Sequence, residues 1–238
     1  MGKLADWHYH SYQQAEPFPH IVIDNLFPES LLDTILNEFP RPDSIDWQSF
    51  NNSAEQKLGS KSEIQMGEIT RLFLYHLNSS IFINFLEKIT NIDGLIPDPH
   101  FQGGGLHQIE KGGFLKIHVD FNRHPKMKLD RRLIFLIFLN KNWKEEYGGH
   151  LQLWNKEVTQ CVKMILPVFN RCVIFNTTDF SYHGHPDPLN CRQGDTRKSL
   201  ALYYYTNGRP AEEVRDNFAS HSTIFQARPG EYINFLNQ

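Results

Sequence analysis

Downstream of about Gly103 the chain breaks into short β-rich apolar runs punctuated by Gly and Asn: GGGLHQI, GFLKIHVD, RLIFLIFLN, GGHLQLW, RCVIFN and KSLALYYYT. Nothing else in the sequence restricts the fold so tightly. Leu115, Ile117 and Val119 alternate with polar neighbours, as do Leu151 and Leu153, the period of a strand with one buried face. Leu133 to Leu139 is continuously apolar, which suits a strand covered on both faces. Many short strands separated by turn signals specify an all-β sandwich or barrel.

The first hundred residues read as mostly helical and irregular. His20 to Ile23, inside PFPHIVIDNLFP, is strand-like. Ser30 precedes LLDTILNEF, in which Leu31, Leu32, Ile35 and Phe39 fall near helical spacing, and Pro40 ends the run. Ser79 or Ser80 is placed to cap a second amphipathic helix through IFINFLEKIT. Asp43 to Lys61 is polar, rich in Ser and Asn, and reads as a loop. The expected fold is mainly β with flanking helices, a cupin-like jelly-roll double sheet. One domain of 238 residues is expected: helical support over 1–100, the jelly-roll core over 101–210 and a C-terminal extension over 211–238.

With 40% hydrophobic and 21% charged residues the chain is not disordered. Lys and Arg number 24 against 27 Asp and Glu, a net charge of -3, so no nucleic-acid partner is expected. The longest apolar run falls far short of the roughly 20 residues a membrane helix needs. The N-terminus has no apolar signal core, and Asp6 breaks the myristoylation pattern. Cys161, Cys172 and Cys191 form no CxxC pair and read as reduced thiols. These features lead to the expectation of a cytoplasmic protein with no membrane partner. The 12 histidines, many for this size, invite a search for metal ligands.

His118-Val119-Asp120 closes an alternating strand, so the imidazole and the carboxylate share a face and can bind one ion. Alone, such a pair is more often a surface histidine near an aspartate. His183, in FSYHGHPDP after RCVIFN, is the distal histidine that a 2-His-1-carboxylate facial triad for non-heme Fe(II) requires. His185 would lie on the same face and could serve instead, but it precedes Pro186, whereas His183 comes directly off a strand. His185-Pro186-Asp187 also spells HxD, but it sits in a proline-bounded turn. Arg197-Lys198-Ser199 opens the strand LALYYYT, and a buried strand arginine calls for an anion, best a carboxylate. Ser199 shares its face and can add a hydrogen bond.

HxD, a distal His and Arg-x-Ser, in that order, resemble the Fe(II)/2-oxoglutarate-dependent oxygenases, most closely their prolyl-4-hydroxylase-like branch. The likeness extends through GGFLKIHVDF, LDRRLIFLIFLNKNW, GGHLQL, NRCVIF and HGHP, with PFPHIVIDNLFP and FQARPG as flanking segments. It implies a double-stranded β-helix in which His118, Asp120 and His183 hold Fe(II), the catalytic centre. It also implies that 2-oxoglutarate chelates the iron with its distal carboxylate on Arg197 and Ser199, and that O2 is the third reactant. Relatives often place tyrosines as second co-substrate contacts; a rough register puts Gln108 and Ile137 at those positions. Related iron halogenases carry a small residue where Asp120 stands, so the resemblance implies hydroxylation or another C–H oxidation.

The loop FNRHPKMKLDRR follows Asp120 directly and is expected at the barrel mouth. Its Arg123, His124 and Arg131 are candidate contacts for an anionic substrate; a solvated basic loop is the plainer alternative. Three functions compete: an oxygenase acting on a small molecule or a carrier-tethered intermediate, a prolyl-type protein hydroxylase, and a cupin-like metal- or ligand-binding barrel without turnover. An arginine placed for a dicarboxylate favours the first two. The compact chain, with no peptide-binding module visible, favours the first.

Overall fold

The structure, a computed structural model, describes residues 2–215 and 219–233. Helix α1 (Gly2–Gln13) leads into β1 (His20–Asp24) and α2 (Glu29–Glu38). A hairpin, β2 (Gln48–Asn51) and β3 (Glu55–Gly59), precedes α3 (Glu68–Leu77) and α4 (Ser80–Thr90). Strands follow: β4 (Ile96–Pro97), β5 (Gly105–Glu110), β6 (Phe114–Val119), β7 (Asp130–Phe138), β8 (Leu151–Trp154) and β9 (Cys161–Ile165). The series closes with β10 (Arg171–Asn176), β11 (His183–His185), β12 (Thr196–Thr206) and β13 (Ile224–Phe225). The last residues of the expected C-terminal extension, 234–238, lie outside the described ones.

The strands form one antiparallel sheet in the order β1-β10-β7-β12-β5-β3-β6-β11-β8-β9, curled into a jelly-roll core. Non-consecutive neighbours such as β10-β7-β12 and β6-β11-β8 are the strand exchange of a double-stranded β-helix. Period-two alternation on β7 and β12 separates two environments. Leu133, Phe135 and Ile137 on β7, with Leu200, Leu202 and Tyr204 on β12, face a core shared with Leu32, Leu74, Phe82 and Leu86 of the helices. Ile134, Phe138, Ala201, Tyr203 and Tyr205 face the inside of the curl with Leu151, Leu153 and Phe175. Hence the continuous apolar spelling of Leu133–Leu139: each face has its own cover.

The helices are amphipathic with one apolar stripe against the sheet. α2 stops at Phe39, whose extended backbone is what the following Pro40 demands. α4 stops at Asn91, in the left-handed conformation with φ 57°. Ser79 is the α4 N-cap residue, but its hydroxyl donates back to His76 O rather than capping the helix. Among the described residues no helix is long and apolar enough to cross a membrane, and all three cysteines are free.

Two expectations need correction. Asp43–Lys61 is not a loop throughout: it contains the β2–β3 hairpin. β3 pairs with β5 through Leu58 and Gly59 and with β6 through Glu55 and Gln56. Its polar sequence concealed it, because tertiary backbone pairing, not an apolar face, holds it in place. The second correction is one of register. Gln108 lies on the outer face, donating to Pro40 O and accepting from Thr196, and Ile137 belongs to the helix-covered core. His107, Ile109, Leu136 and Phe138 are the neighbours that face the cavity. A slip of one residue turns every side chain of a strand to the other face.

Candidate active site

β11 pairs with β6 so that His183 lies directly opposite His118. Gly184 makes this approach possible: a Cβ there would sit 2.8 Å from the carbonyl oxygens of Leu115 and Lys116. The two imidazole centroids are 4.4 Å apart. Asp120, just beyond the end of β6, puts Oδ1 3.7 Å from His118 Nε2 and Oδ2 3.5 Å from His183 Nε2. The ligand atoms of the three residues lie within 4.8 Å of one another.

The backbone sets the tautomers. His118 Nδ1–H donates to Lys116 O at 2.8 Å, and His183 Nδ1–H donates to Ser181 O at 2.9 Å. A carbonyl can only accept, so in each neutral ring Nε2 carries the lone pair, aimed at Asp120. Burial, with His118 second, brings His183 down to about 3, so the ring is neutral at physiological pH. Burial works to raise the Asp120 carboxyl, but Arg131, His183 and His118 outweigh it and hold it well below the usual carboxylate range. Two imidazoles and one carboxylate lining one cavity match the donor set of a non-heme Fe(II) site with open positions. Asp120 Oδ2 makes no geometrically complete hydrogen bond and is held by the charge of Arg131, whose Nη2 is 3.2 Å away.

Arg197 and Ser199 line the same cavity, of about 80 Å³. Its Nε donates to Gly149 O at 2.8 Å, and Phe138 lies under the guanidinium. Gly149 is required there: a Cβ would press on Arg197 Cδ at 3.0 Å, and its φ of 73° is left-handed. Among the described residues Arg197 has no carboxylate partner, and burial alone pushes its pKa down to about 9. A buried, uncompensated guanidinium calls for an anion.

A second cavity of about 220 Å³ opens on the other side of Asp120, walled by the β2–β3 hairpin, Phe121, Arg131 and Tyr203. Arg131 is fully buried, sandwiched between the Phe121 and Tyr203 rings, with Nη2 3.2 Å from Asp120 Oδ2. Of the three loop residues singled out from sequence, Arg131 alone reaches this centre. Arg123 folds back to donate to Lys128 O. His124 points into the loop, where its Nδ1 accepts from the backbone N–H groups of Lys126 and Met127, and its Nε2 lies 3.3 Å from Asp98. Sequence reasoning missed Glu55 and Lys57, a half-buried pair 3.0 Å apart that faces the site from the hairpin. It also missed His107, whose Nε2–H donates to Gly103 O. Neither strand-borne charge in the hairpin carried an apolar pattern to announce it.

Residues 104–205 match the family model of the 2OG-Fe(II) oxygenase superfamily. The chain is 25% identical over 198 residues to a protein named prolyl 3-hydroxylase OGFOD1 from Xenopus laevis. The match covers 79% of this chain and 35% of the relative, so the chain spans about a third of that relative's length. In fold it is similar to a Pseudomonas putida prolyl-4-hydroxylase, with a TM-score of 0.59 at 15% identity, covering 87% of this chain and 99% of that one. A prolyl hydroxylase from Trichoplax adhaerens, solved with a hypoxia inducible factor peptide fragment, gives a TM-score of 0.57 at 16% identity, with 86% and 90% coverage. Fold, family match and the His-Asp-His cluster agree: residues 104–205 match the 2OG-Fe(II) oxygenase superfamily, the fold is similar to that of prolyl hydroxylases, and the donor set fits the Fe(II) and 2-oxoglutarate of that superfamily.

Proposed function

We propose that the chain is a hydroxylase that oxidises an unactivated C–H bond of a small metabolite or a carrier-tethered biosynthetic intermediate. The observation that carries this reading is one cavity lined both by a metal-ligating cluster and by a buried arginine without a carboxylate partner. In the proposed roles His118, Asp120 and His183 hold Fe(II), and Arg197 with Ser199 holds the distal carboxylate of 2-oxoglutarate. The chemistry supplied there is oxidative decarboxylation of 2-oxoglutarate by O2 to succinate and CO2, with the second oxygen atom inserted into the C–H bond.

The chain's own residues orient and exclude. With Nδ1–H of each ring on a backbone carbonyl, both Nε2 atoms are turned to the cluster as ligand atoms. Phe138, Leu151 and Ile109 keep the inner end of the cavity dry, which strengthens the arginine–carboxylate attraction. Arg131, Glu55 and Lys57 line the outer cavity with charge, which suits a small polar or anionic substrate. A cupin-like barrel without turnover has no use for an uncompensated arginine in the same cavity as its metal ligands.

One observation favours a second reading, a prolyl-type protein hydroxylase: the relative matched over most of the chain carries that name. Succinate release from 2-oxoglutarate, measured across small-molecule and proline-peptide panels, separates the two. Release on a small molecule, with 18O from 18O2 in the product, supports the main reading. Release on peptides alone replaces it with the second. A chlorinated main product in chloride-rich buffer would refute hydroxylation.

A further inference from the structure

His185 is an anomaly among the described histidines. It is 3% exposed, and neither ring nitrogen has a hydrogen-bond partner. Each of the other buried histidines, His20, His118, His124 and His183, has at least one ring nitrogen bonded. A buried polar group without a partner is unfavourable, and proteins keep one where a ligand completes it.

Its place in the fold identifies the ligand. His183 and His185, two residues apart on β11 and opposite His118 and Leu115 of β6 across a register shift, both line this cavity. His183 belongs to the metal cluster; His185 does not. It lines the same cavity as Arg197 and Ser199. The cavity that carries the metal cluster thus also carries an imidazole without a partner and a guanidinium without a carboxylate. Arg197 has already committed its Nε to Gly149 O, so its terminal nitrogens alone would face the carboxylate.

Resting on the 2-oxoglutarate reading above, we propose that His185 is the second contact of the distal carboxylate, a ring N–H donating to one oxygen beside Arg197. The carboxylate in turn gives the orphaned imidazole its partner. His185, in this role, selects a diacid over a monoacid of the same length.

The test uses the Mn(II)-loaded full chain under argon, so that binding is read without turnover. Calorimetry measures 2-oxoglutarate and 2-oxopentanoate, which has a methyl group in place of the distal carboxylate, on wild type, His185→Leu and His185→Gln. His185→Leu is expected to bind 2-oxoglutarate 10- to 100-fold more weakly and 2-oxopentanoate unchanged. His185→Gln, which retains an N–H donor, is expected to recover part of the loss. Mn(II) affinity and the melting temperature of the metal-free variants check that site and fold survive. Equal losses for both ligands, or no loss for 2-oxoglutarate, would overturn the role of His185. If wild type binds Mn(II) but no 2-oxoglutarate, the oxygenase reading fails and this inference with it.

Discussion

The two faces of β12 are one strand in two different environments. Leu200, Leu202 and Tyr204 point to the helices, where the packing is apolar and the Tyr204 hydroxyl donates to Leu77 O at 2.9 Å. Arg197, Ser199 and Tyr203 point into the curl, where Arg197 is uncompensated and Arg131 next door has three guanidinium nitrogens without a hydrogen-bond acceptor. Burial on one face stabilises the fold. Buried charge on the other costs stability and is retained for binding. A chain can carry the second only because the first is large.

Phe135→Ala attacks the helix-covered face. The ring is completely buried against Phe82, 5.0 Å between centroids, and its removal should cost about 3–5 kcal/mol in denaturant unfolding. Co-substrate affinity of the folded variant should not change. A loss below about 1 kcal/mol would remove the contrast between the faces.

Asp120→Ala cuts the other way. Asp120 is the counter-ion of Arg131, and leaving that guanidinium alone should destabilise the metal-free protein by about 3 kcal/mol. Metal binding at the cluster should also be abolished. A variant as stable as wild type in the absence of metal would mean that Arg131 is compensated elsewhere.

Arg197→Leu sharpens the comparison most. Removing an unpaired buried charge should leave the metal-free protein at least as stable as wild type. The same change should weaken 2-oxoglutarate by at least about 2 kcal/mol while leaving metal affinity intact. Unchanged affinity would move the carboxylate anchor away from Arg197, to Lys198 or Arg192.

The smallest effect lies outside both faces. His221 Nδ1 meets Ser222 O and its Nε2 meets Asp179 Oδ1 at 2.8 Å. Both partners can only accept, so only the protonated ring satisfies both contacts. Burial opposes this, but Asp179 and Ser222 outweigh it and raise the His221 pKa, while Asp179 is held low. A raised pKa contributes stability in full below the ordinary histidine value and loses it as pH rises through the folded one. Wild type should therefore exceed His221→Gln by under about 1 kcal/mol at pH ~5.5, and the gap should close towards pH ~9. A gap that widens with pH would show that the contact is not ionic.

Much of the fold was legible because it follows from local periodicity. The helices at Glu29–Glu38 and Ser80–Thr90 and the strands from Gly105 onward lie within a few residues of where apolar spacing put them. The β2–β3 hairpin was not legible, since its pairing partners lie about fifty residues downstream and no apolar stripe marks it. Gln108 and Ile137 were misassigned by a single step of register, an error that adjacent strands resolve and a lone strand cannot.

For the site, the chain's covalent order determined what lies near what along a strand. His118 shares a face with Asp120, and Arg197 with Ser199, because strand geometry has a period of two. Which distant groups meet was decided by tertiary structure alone. Pairing of β11 with β6 put His183 against His118, His185 lines the cavity with Arg197, and His124 is held within its own loop by the Lys126 and Met127 N–H groups. Arg131 reached Asp120 because β7 passes beneath it, and Lys57 arrived on a hairpin between β5 and β6. Local spacing is written in bond geometry, whereas contacts across a hundred residues depend on which backbone pairing buries the most surface and satisfies the most hydrogen bonds.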